Sequence, residues 1–504
     1  MKSQLKIGAL LSYVVLALHN LVGLLYTPFM LRMMGASEYG IYSVAASVVA
    51  YLTVLDLGFG NAIVRYTAKY KAEGKTEEQY KMFGMFFVLY CVIGLVALVV
   101  GGVVCFNAEN IFASAMTELE LYRMKLVLLL MVFNVAITFP LSIFGSIITA
   151  YEQFVFKKVL NIFRIILNTT TMIVLLYLGY RAVAMVVVTT LFNILTLGSD
   201  FWFCRYRLKI KLKFGKFQWG FLKEIAIYSF WIFMNAIMDR FYWSSGQFVL
   251  GVVTGTAAVA VFAVAVQLLQ MFKCFSIAIS SLLLPKVTAM VVKDSSGKDV
   301  SNLFIRVGRI QYSVMMLILS GFFLFGRSFV RLWAGDDYDE AYIIVMIIFI
   351  PFFVDLIQNT GIVILQARNQ MRFRSILCLS VSVVCVVLLF PLAKYYGGFG
   401  CAVGIGSGFL LAQGLVLNVY YQIKQKINIV VFWMNILKMS VVPFFVCGIA
   451  YVVLPYFAID SVYKLAWGIF LYLIAYIPLF FMFSMNQYER DLILNPVKKL
   501  MKRI

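Results

Sequence analysis

Apolar runs long enough to cross a bilayer make up almost the whole chain, and the lysines and arginines fall on alternate connectors between them. A membrane helix needs about 20 mostly apolar residues, and that criterion predicts about fourteen spans. They fall at 8–30, 41–63, 83–106, 124–147, 159–178, 182–203, 225–248, 257–283, 309–330, 341–364, 375–395, 400–421, 430–454 and 463–485. The chain is 63% hydrophobic and 13% charged, whereas a soluble domain carries roughly a quarter charged residues. The predicted fold class is therefore an all-α integral membrane protein.

Threading from a cytoplasmic N-terminus gathers the basic residues on one side. Lys2 and Lys6 come first, then Arg65, Lys69, Lys71, Lys75 and Lys81, then Lys157 and Lys158. The connector from Arg205 to Lys223, including Lys216, follows, then Lys286, Lys293, Lys298, Arg306 and Arg309. Arg368, Arg372, Arg374, Lys424, Lys426 and the tail with Arg490, Lys498, Lys499, Lys502 and Arg503 complete the set. The sum is about 31 inside against about 8 outside, a strong positive-inside bias. Both termini are thus predicted to be cytoplasmic. The outer connectors are also the acidic ones, as at Glu118–Glu120 and Asp336–Glu340. The apolar run from Ile7 to Met30 exceeds a signal-peptide core of about 7–15 residues and is read as the first helix.

The net charge of +21 does not point to nucleic acid, which needs one clustered basic face. The eight cysteines lie nearly all within apolar runs without metal spacing, as small buried hydrophobes. No metal or cofactor is expected.

The chain resembles itself at an offset of roughly 211–220 residues. Asn20 matches Asn235, Gly35 matches Gly251 and Pro140 matches Pro351. AYEQF from Ala150 faces ARNQM from Ala367, and GYRAV from Gly179 faces GFGCA from Gly398. Six helices map onto six, so both copies enter the membrane from the same side, as parallel repeats do. The expected organisation is an N-lobe of helices 1–6 (1–204), a basic cytoplasmic connector (205–224), a C-lobe of helices 7–12 (225–424), and helices 13–14 with a basic tail (425–504). A site between the lobes and alternating access by their rocking are the corresponding expectations.

Ionisable groups inside a bilayer are expensive and usually face a bundle interior or a wet cavity. Here they are His19, Asp56, Arg164, Asp239, Arg240, Lys273, Asp355 and Lys438, with Asn20, Asn61, Asn235, Gln267, Gln270, Gln358 and Asn359 as neutral polar partners. At about 1.5 Å per residue, Lys273 lies about 24 Å and Asp355 about 21 Å along their helices, too deep to snorkel. Arg65 and Arg164 lie nearer the cytoplasmic ends, within snorkelling reach. Arg65, Arg164, Arg240 and Lys273 form a candidate cationic cavity for an anionic group, most simply phosphate or pyrophosphate, whose oxygens match arginine forks. Asn20 and Asn235 join this set, while His19, Asp56, Asp239 and Asp355 are coupling or gating candidates. Tyr242 and Trp243 are candidates for stacking on sugars.

Other signals are false. Gly74-Lys75-Thr76 lacks the earlier glycine of a phosphate-binding loop, since position 69 is Lys. The sequon at Asn168 lies inside a span. The longest hydrophilic connectors reach about twenty residues, too short for a catalytic domain.

RMMGASEYGIYS from Arg32 and LDLGFGNAIVRY from Leu55 resemble the start of bacterial polysaccharide and O-antigen (Wzx-like) flippases of the MOP exporter superfamily. The turn at Trp333-Ala-Gly and the glycine-rich start of helix 12 are similar too. The resemblance implies fourteen helices in two six-helix lobes plus two C-terminal helices. It implies translocation of an undecaprenyl-pyrophosphate-linked oligosaccharide across the plasma (inner) membrane for surface polysaccharide or lipopolysaccharide biosynthesis, beside a polysaccharide polymerase. The pyrophosphate would occupy the basic cavity and the polyprenyl tail would run along helices 13 and 14. Related lipid II flippases carry arginines on helices 1, 2 and 8. Arg65 and Lys273 stand on helices 2 and 8, and helix 1 offers His19 instead. Flipping breaks no covalent bond, so no enzyme activity is expected. The alternatives are a cation-coupled multidrug exporter of the same superfamily, which the intramembrane Arg and Lys disfavour, and a membrane polymerase or glycosyltransferase, which the short outer loops disfavour. A scaffold for glycan synthesis need not bear the buried charges.

Overall fold

A computed structural model describes the chain apart from residues 1, 216–218, 281–286, 288–289, 291–296, 458 and 502–504. Lys216, Lys286, Lys293, Lys502, Arg503 and the last residues of the 257–283 run therefore lie outside the described residues. Among the described residues every regular element is helical, and the protein is an all-α, multi-pass membrane protein.

The chain divides into two compact units, Met1–Ala263 with Ser382–Cys401, and Val264–Val381 with Ala402–Ile504. The first contains α1 (Lys2–Met34), α2 (Ala36–Leu52), a 3-10 turn (Thr53–Asp56), α3 (Phe59–Ala72), α4 (Thr76–Phe106), α5 (Ala108–Phe112), α6 (Glu118–Ala150), α7 (Phe154–Tyr177), α8 (Ala182–Trp202) and α9 (Trp219–Val253). α10 (Thr256–Ser280) begins in the first unit and ends in the second. The second continues with α11 (Lys298–Ala334), α12 (Glu340–Ile357), α13 (Asn359–Ala367), both ends of α14 (Met371–Phe409), whose middle, Ser382–Cys401, belongs to the first, and then α15 (Leu417–Ile423), α16 (Ile429–Val453), α17 (Val462–Phe483) and α18 (Gln487–Met501).

Twelve described stretches are long and apolar enough to cross a membrane. One, Met371–Ile423, reverses at Gly397 (φ 55°, ψ −137°) and so holds two of the predicted spans. α9, 35 residues long, occupies the seventh. The fourteen predicted spans are thereby accounted for.

Local chemistry explains the helix ends. Thr117 and Glu120 form a reciprocal capping box at the start of α6, in which the Thr117 N–H donates to Glu120 at 2.9 Å. Such a cap contributes about 1 kcal/mol. In the first unit Phe59, Phe83, Phe86, Tyr90, Phe139 and Phe144 interleave between α3, α4 and α6. Pro140 frees the carbonyl of Ala136, four residues back, and Gly94 of α4 closes on it, so that a Cβ there would lie 2.6 Å from the oxygen. Pro351 frees Ile347 in the same way, and Gly406 packs against that carbonyl.

The internal repeat is written in the backbone. Left-handed or otherwise positive φ values recur in pairs about 220 residues apart, at Gly35 and Gly255, Gly74 and Gly297, Glu152 and Asn369, Gly179 and Gly397, and Lys209 and Lys426. The turn glycine corresponding to Gly35 is Gly255, whereas Gly251 lies within α9 against Val44. Gly74-Lys75 and Gly297-Lys298 each start a helix, which accounts for the false phosphate-loop signature. The sixth helix of each half also contains a π-helical stretch, at its end in Phe203–Arg207 and one α-helical segment before its end in Leu410–Val416.

Candidate functional site

The LDLG motif breaks the second span. After the 3-10 turn, Leu57 (φ 53°) and Gly58 (φ 73°) both turn left-handed before α3 begins. Glycine enters this region freely, but leucine does so at a cost of about 1–2 kcal/mol. The interruption leaves Asp56 half-buried at the turn, where its carboxylate accepts a 2.7 Å hydrogen bond from the Tyr90 hydroxyl of α4. A Cβ on Gly60 would touch Ser146 of α6 and approach the same hydroxyl, so three helices meet here closely.

α9 runs antiparallel beside this break. Gly251 meets Val44, and the hydroxyls of Tyr51 and Ser245 bond at 2.5 Å. Continuing that register brings Asp239 and Arg240 level with Asp56, where α9 also touches the 3-10 turn. Both side chains are exposed, with Asn235 one turn away and half-buried. Tyr242 is buried and Trp243 half-buried. Arg65 is exposed two turns into α3, its guanidinium 5.9 Å from the Tyr66 ring centroid. Tyr66 itself donates to Glu224 at 2.8 Å, fixing α3 to the start of α9.

A second group forms on α1 and α7. Gly8 packs on Phe154, and the Tyr26 hydroxyl reaches the sulfur of Met172 at 3.3 Å. The two contacts are equally spaced along both helices, so the helices are parallel and Arg164 stands level with His19 and Asn20. His19 and Arg164 are exposed and Asn20 is half-buried.

Lys273 and Asp355 belong to the second unit. Phe272 stacks on Phe349 at 4.8 Å, and the Ser276 hydroxyl donates to the Leu356 carbonyl at 2.5 Å. α10 and α12 therefore run parallel there, with Lys273 and Asp355 within about a turn of each other in depth and both half-buried.

The family model described as "Polysaccharide biosynthesis protein" matches residues 6–291. The chain belongs to that family. No curated protein matches it by sequence. Among solved structures it is similar to the lipid II flippase MurJ in an inward closed conformation, with 16% identity, 97% of this chain and 99% of that one covered, and a TM-score of 0.72. It is also similar to an inward-facing multidrug resistance MATE transporter of the MOP superfamily (15% identity, 82% and 99% covered, TM-score 0.59). The MATE multidrug transporter DinF-BH gives 16%, 84% and 96%, and 0.61. These likenesses establish the MOP fold.

The GASEYG stretch from Gly35 also has a structural reading. Glu120 accepts hydrogen bonds from Ser37 at 2.5 Å and Thr256 at 2.7 Å, while Glu38, 3% exposed, pairs with Arg123 and takes the Ala182 N–H. Gly40 admits the Thr256 backbone, since any Cβ there would collide with it. One end of the first unit is thus tied together by this motif.

Sequence reasoning missed several buried polar groups. Asp200 in α8 is 1% exposed and pairs with Lys157 of α7 over Gly145. Its presence inside the 182–203 span was the available signal. Arg309, counted only as a cytoplasmic charge, is buried and binds Glu489 of α18 through two nitrogens, at 2.6 and 3.0 Å. Tyr90 carried no signal, because tyrosine is unremarkable in an apolar run. In the second unit Gln358, already named from the sequence, breaks the tenth span between α12 and α13 and donates to Asn418 at 2.8 Å, an unforeseen partner that also accepts from Trp433 at 3.1 Å. Between α16 and α17 lies an apolar groove of about 760 Å³, walled by Phe325, Ala450, Trp467, Gly468 and Leu471, with Lys464 at its edge.

Proposed function

We propose that this protein flips an undecaprenyl-pyrophosphate-linked oligosaccharide across the bacterial plasma membrane for surface polysaccharide biosynthesis, its termini in the cytoplasm. The observation that carries the reading is the set of exposed or half-buried cationic groups at membrane depth: Arg65, Arg164 and Arg240 in the first unit and Lys273 in the second. Charges that a bilayer penalises are retained where a charged cargo needs them, and guanidinium forks suit pyrophosphate oxygens. Membership of the polysaccharide biosynthesis family supports the cargo class. The flippase activity in the printed name of MurJ supports the transport mode.

In this reading the cations meet the pyrophosphate in turn as the lobes of the sequence repeat, 1–204 and 225–424, alternate in access. Asn20, Asn235, Tyr242 and Trp243 contact sugars. The polyprenyl tail occupies the groove between α16 and α17, whose apolar walls suit isoprene units. His19, Asp56, Asp239 and Asp355 serve coupling or gating, and a polysaccharide polymerase receives the product.

The test is leaflet accessibility of the lipid-linked oligosaccharide in cells depleted of the protein, read with a labelling reagent confined to the outside. Wild type restores labelling and Lys273→Ala does not. If the complete lipid-linked sugar never forms in depleted cells, the protein acts earlier and the flippase reading fails.

A further inference from the structure

A second pocket, of about 550 Å³, with one polar and one apolar side, opens at the end of the first unit that carries Glu109, Glu118 and Glu120. By the charge bias of the connectors this is the outer face. The pocket lies away from the span-2 break and involves none of the groups assigned to transport. Its polar side is built from Arg123 of α6, Arg181 just before α8, and Glu38. Its other side is apolar, with Leu175 of α7 and Val183 and Val187 of α8.

The charges decide what suits it. Glu38 is buried and already holds Arg123 and the first N–H of α8. That leaves one uncompensated positive charge, Arg181, which is exposed and whose guanidinium has no ion-pair or hydrogen-bond partner among the described residues. Arg123 keeps 37% of its side chain accessible and can share a ligand with its neighbour. A net charge of one matches a phosphodiester monoanion. A pyrophosphate, with two or more negative charges, would be undercompensated in so apolar a setting. The apolar wall selects further. Val187 lies about 9 Å along α8 from Arg181 and is 47% exposed, with Leu191 below it at 52%. A headgroup held at Arg181 would therefore lay an acyl chain along exposed side chains of α8.

We propose that this pocket is a binding site for a glycerophospholipid of the outer leaflet. Arg181 is the principal phosphate ligand, Arg123 is a second one positioned by Glu38, and α7 and α8 form the tail contact. A lipid there bridges α6, α7 and α8 at the end where the GASEYG motif ties α2 to α6.

Native mass spectrometry of the full-length protein, stripped of lipid in detergent and titrated with phosphatidylglycerol, tests this. Wild type retains one tightly held lipid. Arg181→Gln, a change at an exposed side chain, weakens that lipid about tenfold, the order of one charge-assisted hydrogen bond. Arg205→Gln at the opposite end leaves it unchanged, and Arg181→Lys recovers part of the affinity. The lipid-free melting temperatures of wild type and Arg181→Gln coincide. Equal lipid retention by wild type and Arg181→Gln overturns the site. Inorganic phosphate displacing the lipid at equal concentration makes it a soluble-anion site instead. A polyprenyl pyrophosphate binding there more tightly than phosphatidylglycerol overturns the charge argument.

Discussion

Among the described residues spans 2 and 10 are each interrupted, one in each unit, and different chemistry holds each break. Span 2 breaks at Asp56–Gly58, where a carboxylate accepts from Tyr90 and two successive residues adopt left-handed backbone. Span 10 breaks at Gln358, where amides and an indole satisfy one another through Asn418 and the backbone stays at negative φ. Gln358 is 5% exposed and Asn418 8%, whereas Asp56 is only half-buried. A neutral, enclosed amide network costs little and changes little with its surroundings. In the proposed function the partly accessible Asp56 carboxylate, level with Asp239 and Arg240, is the group that responds to an arriving ion, proton or anionic cargo. Under the proposed flipping function the span-10 break is structural and the span-2 break is the responsive one.

A third buried polar link calibrates the two. Arg309 is fully engaged by Glu489, Asn435 and the Ser484 carbonyl, and it is 7% exposed. Glu489→Ala strands that guanidinium and is expected to cost about 3–5 kcal/mol, the usual penalty for orphaning a buried charge. Denaturation in detergent measures it, and flipping per folded molecule should be unchanged. A transport defect in the folded fraction would show that full enclosure does not mark a structural role here.

Next in size, Asp56→Asn keeps an oxygen for Tyr90 but removes the charge. Flipping should fall about tenfold, the scale of a lost charge-assisted interaction, while the melting temperature moves little. Gln358→Leu should do the reverse. It leaves the Asn418 amide short of one donor and costs about 1–3 kcal/mol, with flipping per folded molecule retained. Swapped outcomes would reverse the assignment of the two breaks.

The sequence showed the spans, because a bilayer demands a minimum apolar length whatever the fold. It showed Asp56, Lys273 and Asp355 as costly residues, because a charge in such a run is conspicuous. It could not show that Asp56 meets Tyr90, that Arg164 stands level with His19, or that Arg240 stands beside the break. The first depends on register across 34 residues of chain, and the other two across more than 100. The interruption at Leu57 was hidden too, since a leucine in left-handed backbone looks like any other apolar residue. Only Gly58 hinted at it. The repeat was visible in sequence as scattered matches, and the backbone sharpens it to turns.

The smallest expected effect tests that sharpening. Glu152 (φ 59°) and Asn369 (φ 54°) end the fourth and tenth spans in the same way. Each preceding helix closes with matching bonds, Gln153 N–H to Ile148 and Gln370 N–H to Leu365. Asparagine tolerates left-handed backbone, whereas glutamate pays about 1–2 kcal/mol for its Cβ. Glycine relieves that strain but gives back about 0.4–1 kcal/mol through unfolded-chain entropy. Glu152→Gly should therefore stabilise the protein by up to about 1 kcal/mol, and Asn369→Gly should be close to neutral. Denaturation of both variants side by side measures the difference. Equal effects would mean that the two turns, though alike in geometry, are held by their surroundings rather than by their own backbone preference.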